Sequence, residues 1–151
     1  MQRFPNSCLN SAIRTLLLFF GIDETEVRIG TIFRENIGDL SIYDAKKILK
    51  FFKLDFVEIN ICCKSIEFNN NGYYLLIMNT SYIKWKPLFY RKISKKLPDP
   101  IWHALLIVKL DHKLYAIDSS WFYGGKYDLN QYDIINPKIN GIYPEIIFIP
   151  L

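Results

Sequence analysis

The sequence predicts an α+β fold in which an N-terminal helix opening on Cys8 packs on an antiparallel sheet that carries His103 and Asp118. Three observations predict it. Apolar residues recur at helical spacing near the start of the chain. Apolar runs of strand length, bounded by turn residues, fill the later part. No internal repeat, low-complexity tract or linker divides the 151 residues, so one domain over 1–151 is expected.

Leu9, Ala12, Ile13, Leu16, Leu17 and Phe20 follow the i, i+3, i+4, i+7 pattern of one buried helix face, and Gly21 stands where a C-terminal cap belongs. A helix over 7–20 follows, with Asn6 or Ser7 supplying the N-cap oxygen. An irregular connection then leads through Leu40-Ser41-Ile42 to a second helix over 44–52 and a strand starting at Phe56. Cys62 and Cys63, just past that strand, read as strand or edge packing. Asn69-Asn70-Asn71-Gly72 is a turn signal between the short run 66–68 and a strand over 73–78. Two apolar runs, 103–110 and 113–118, flank Asp111-His112 and read as a tight hairpin. Gly124-Gly125 breaks the chain after Asp118, and 146–149 reads as the closing strand.

Cys8 would sit in the first turn of its helix, where unpaired backbone N–H groups and the positive end of the macrodipole favour a thiolate. His103 opens one strand of the hairpin and Asp118 closes the other, so the two ends lie side by side. Asp118 can then accept a hydrogen bond from one imidazole nitrogen while the other takes a thiol proton. Nucleophile, base and orienter are all supplied, a triad recognised by roles rather than by chain order. The side-chain amide of Gln2 would join the Cys8 backbone N–H in holding an oxyanion. His112, in the turn, is the weaker base. The plainer reading makes Cys8 a small buried hydrophobe, Gln2 a disordered terminal residue and His103 a structural histidine. The aromatic run Trp121, Phe122, Tyr123 would either screen the triad from water or belong to the core.

Gln2, five residues, Cys8 and an apolar helix running into Phe20-Gly21 resemble the opening of the C39 cysteine peptidases. The second helix, the strand over 56–59, and His103 with Asp118 fifteen residues on are similar to later parts of that family, so the resemblance covers nearly the whole chain. It implies a papain-like cysteine peptidase fold and a Cys-His-Asp thiol protease. It also implies processing of bacteriocin precursors after a double-glycine leader, beside a peptide-exporting ABC transporter. The chain departs from the pattern in three places. Ser7 and Leu9 flank the nucleophile where the family prefers Asp and Gly, no transporter follows, and 24 residues separate 73–78 from His103. The expectation is therefore a stand-alone peptidase acting on a leader peptide or a short exposed segment of a small protein, with a separate ABC exporter as a further partner. Two alternatives remain open: another papain-like thiol enzyme (a Josephin-type deubiquitinase, amidase or deamidase) or a non-catalytic C39-like module that binds peptide.

The insertion over 79–102 holds Lys84, Lys86, Arg91, Lys92, Lys95 and Lys96 against Asp99, a balance of +5. The whole chain has 19 bases and 15 acids, a net +4, so everything outside the insertion sums to −1. Tyr82, Trp85, Phe89 and Tyr90 are interleaved with the bases, and Pro87, Pro98 and Pro100 interrupt any long helix. Lying just before the base, such a segment would wall the cleft and suit an acidic, amphipathic peptide, with Trp85, Lys92, Lys95, Lys96 and Trp102 as substrate contacts. The alternative is an ordinary solvated loop whose aromatics cover the core. Without a recognition helix or glycine-rich motif, nucleic acid is not the expected partner.

Composition bounds the rest. Half of the residues are hydrophobic and 16% aromatic, which excludes a disordered chain. No stretch reaches the ~20 apolar residues of a membrane span, and the N-terminus lacks the regions of a signal peptide. Three cysteines, two of them adjacent, make neither a disulfide framework nor a zinc motif, so a reducing cytoplasm is the expected setting, without metal or cofactor.

Overall fold

The computed structural model describes residues 8–32, 41–60, 67–79, 102–118, 125–128 and 145–151. Within them lie α1 (Cys8–Phe19), α2 (Glu26–Thr31), α3 (Ile42–Phe51) and six strands: β1 (Val57–Ile59), β2 (Gly72–Asn79), β3 (Trp102–Leu110), β4 (Lys113–Asp118), β5 (Gly125–Asp128) and β6 (Glu145–Pro150). The strands form one antiparallel sheet in the order β1-β6-β2-β3-β4-β5. Helices and an antiparallel sheet make this an α+β architecture, as the order of apolar patterns implied.

Local chemistry explains each helix end. α1 stops in a Schellman motif: Gly21, at φ 72°, donates to the Leu18 carbonyl at 3.0 Å, and Ile22 donates to that of Leu17 at 3.0 Å. α3 starts in a capping box, where the Ser41 N–H donates to Asp44 Oδ2 at 2.9 Å and the Asp44 N–H donates to Ser41 Oγ at 3.3 Å. That cap starts the helix two residues before the expected 44.

Strand alternation sorts the sheet into two apolar layers. Tyr73, Leu75, Ala104, Leu106, Val108, Ile147 and Ile149 pack with Leu9, Ala12, Ile13, Leu16 and Leu17 of α1, Ile29 of α2, and Ala45, Ile48 and Leu49 of α3. Tyr74, Leu76, Leu105, Ile107, Ala116 and Ile146 form the second layer with Phe68. Burial on both faces makes β2 and β3 near-continuous apolar runs, the composition expected of central strands.

Three local expectations are corrected. The connection after α1 is not irregular throughout: Thr25 caps α2 by accepting from the Arg28 N–H at 3.1 Å. Arg14 Nε donates to the Glu24 carbonyl at 2.9 Å, which ties α1 to the approach of α2. Gly125 does not end strand structure but begins β5, whose backbone pairs with β4. The strand at Phe56 is shorter than expected, three residues at the sheet edge. No helix among the described residues is long and apolar enough to cross a membrane.

Candidate functional site

Cys8 is the first residue of α1, and its half-buried side chain packs against the helix-side apolar layer. Two residues on, Asn10 is fully buried and its Nδ2 donates at 3.5 Å to the Glu26 carbonyl, holding the cysteine-bearing turn against α2. Sequence reading overlooked Asn10 because it falls outside the apolar stripe. Its signal was an amide in the first turn of an otherwise apolar helix.

β2 and β3 share eight rungs, from Gly72↔Lys109 to Asn79↔Trp102, with His103 opposite Met78. Asp118 ends β4 opposite Gly125. The rung Leu106↔Ile117, carried one residue on, sets Asp118 opposite Leu105, so Asp118 and His103 are diagonal neighbours on adjacent strands. Such positions lie about 7–8 Å apart. Asp118 therefore stops two residues short of directly facing His103. The connection 80–101 leaves and re-enters the sheet at the neighbouring rung Asn79↔Trp102.

At the far end of α1 from Cys8, Phe19 and Phe20 lie against Tyr73, with ring centroids 5.0 and 5.4 Å apart, and α1 packs along β3.

Alternation across the sheet divides the three positions differently. Ala104, Leu106 and Val108 belong to the helix-side layer, and Leu105 and Ile107 to the other. Position 103 falls by alternation in the series of 105 and 107, and position 118 in the series of Leu114 and Ala116. His103 and Asp118 are thus brought together in one series at one end of the sheet. Cys8 packs in the helix-side layer, and strand register alone does not join it to them.

Gln2, Trp85, Lys92, Lys95 and Lys96 lie outside the described residues, as do Cys62, Cys63, Trp121, Phe122 and Tyr123. Trp102 opens β3. Among the described residues no group of three or more His, Cys, Asp or Glu is placed to hold a metal ion. No protein-family model, curated protein or solved structure matches the chain.

Proposed function

We propose that the protein is a cysteine peptidase of papain-like fold, with Cys8 as nucleophile, His103 as base and Asp118 as its orienter. The observation that carries this reading is a cysteine at a helix start in a fold that also sets a histidine and a carboxylate at diagonal positions of adjacent strands. In the proposed reaction His103 takes the thiol proton and the thiolate attacks the peptide carbonyl carbon. Gln2 and the Cys8 N–H hold the oxyanion. His103 then protonates the leaving amine, and water attacks the thioester to release the acid and restore the thiol. The substrate class is a leader peptide or a short exposed segment, and the +5 connection, through Trp85, Lys92, Lys95, Lys96 and Trp102, favours acidic ones.

Iodoacetamide alkylation of each cysteine against pH, in the native protein and in His103→Ala, tests the pairing. Cys8 is expected to react well below the ~8.5 of an ordinary thiol and to lose that reactivity without His103. A Cys8 profile unchanged by His103→Ala refutes it. With a cleavable peptide in hand, Cys8→Ala and His103→Ala each abolish turnover while leaving the fold intact. Neutralising Lys92, Lys95 and Lys96 raises KM for an acidic peptide and flattens its salt dependence, and an unmoved KM removes the connection from the substrate site.

A second reading, a peptide-binding module without catalysis, is favoured by one observation: positions 103 and 118 alternate in register with Leu105 and Ala116, while Cys8 packs in the other layer. An inert Cys8 together with retained peptide binding selects it.

A further inference from the structure

The solvent side of α3 is built from lysines and aromatics. At 3.6 residues per turn, Lys46, Lys50, Tyr43, Lys47 and Phe51 fall in that order across one arc, opposite the buried Asp44, Ala45, Ile48 and Leu49. Tyr43 is 59% exposed and Phe51 50%, while Lys47, Lys50 and the following Lys53 are all exposed. The carboxylates nearby do little to neutralise them. Asp44 is buried in the capping box, Glu58 pairs with Lys46, and Asp55 lies beyond the helix end.

We propose that this face is a docking surface for an anionic lipid bilayer. Lys47, Lys50 and Lys53 meet headgroup phosphates, and Phe51 enters the boundary between headgroups and acyl chains. The buried side of α3 is committed to the core, so the helix lies on the surface rather than spanning it. One feature favours lipid over nucleic acid: Phe51 carries no polar tip, so its exposure to water is relieved by an apolar boundary.

Flotation with vesicles tests the proposal. The full chain is expected to float with vesicles of phosphatidylcholine mixed with phosphatidylglycerol, to stay behind with phosphatidylcholine alone, and to be released as salt rises. The triple variant Lys47→Gln, Lys50→Gln, Lys53→Gln, changed only at exposed positions, should lower the partition coefficient by roughly tenfold or more with its circular dichroism unchanged. Phe51→Ser should leave attraction at low salt and remove what binding survives at high salt. The control variant Lys92→Gln, Lys95→Gln, Lys96→Gln keeps binding. Equal flotation with neutral vesicles, an unchanged triple variant, or loss only in the control overturns the assignment to α3. Retention of duplex DNA that is lost in the triple variant, with no vesicle binding, assigns the face to nucleic acid instead.

Discussion

Gly72 shows how one residue admits a whole strand. It opens β2 between Lys109 of β3 and Pro150 of β6, at φ 149°. A Cβ there would stand 2.5 Å from the Ile149 carbonyl oxygen and 2.6 Å from the Phe148 ring. Since the oxygen is backbone, relief requires β6 to move. Gly72→Ala is expected to destabilise the protein by about 2–3 kcal/mol, read as a lower urea midpoint at unchanged slope. A midpoint like that of the unaltered protein would mean that β6 does not seat against this residue. The neighbouring Asn71 shows a different kind of legibility. Its Nδ2 donates to Asp111 Oδ1 at 3.1 Å, and the Asp111 N–H donates to Asn71 Oδ1 at 2.8 Å. Both residues were read as turn formers from their neighbours in sequence. Their clamp joins turns 40 residues apart, and no local pattern encodes it.

At the scale of elements, two helices end alike with different residues. Gly21 closes α1 at φ 72°, and Lys53 occupies the corresponding place after α3 at φ 57°, with Leu54 donating to the Leu49 carbonyl at 3.0 Å. The left-handed conformation brings a lysine Cβ close to its own backbone and leaves glycine unstrained. Lys53→Gly is therefore expected to raise stability by about 1 kcal/mol, seen in chemical denaturation. Destabilisation would show that the Lys53 side chain contributes more than its backbone strain removes. Of the helices read from sequence, α1 was marked by three turns of periodicity and a glycine cap, while the second was placed over 44–52 without its cap. α2, six residues long, is too short to be stable by itself and exists because Thr25 caps it while Arg14 and Asn10 tie it and its approach to α1. Likewise β5 begins with Gly and has little strand propensity of its own. It is a strand because β4 offers it a pairing edge, with Lys126 Nζ lying 4.2 Å from the centre of the Tyr115 ring.

At the scale of the whole molecule, the sheet separates two apolar layers, and adjacent tyrosines report on them. Tyr73 faces the helix side and Tyr74 the other. Burial raises the pKa of Tyr73 above 10.0, helped by Tyr115. Burial also raises that of Tyr74, against the opposing hydrogen bond with the Asn70 backbone. The fold holds both phenol protons where the unfolded chain would release them. Their contribution is thus complete below pH 10 and lost as pH rises through the raised folded values. Absorbance titration should show Tyr73→Phe and Tyr74→Phe each removing a late-ionising phenol, and stability should fall beyond pH 10. Ionisation of both at ordinary pH would mean the layers admit water. The candidate site was legible in part for a related reason. Cys8 was marked by the helix it opens, and His103 and Asp118 by the hairpin they bracket, all signals within a few residues. The diagonal offset of Asp118, the buried Asn10 anchor and the packing of Cys8 in the helix-side layer depend on register and packing between distant segments. The sequence by itself determined α1 and α3, their caps, the β3–β4 turn and the apolar strands, because contacts within four or five residues decide them. Only the tertiary structure decided that β6 lies between β1 and β2, that α2 and β5 form, and which layer each site position joins, because those outcomes rest on contacts between segments remote in the chain.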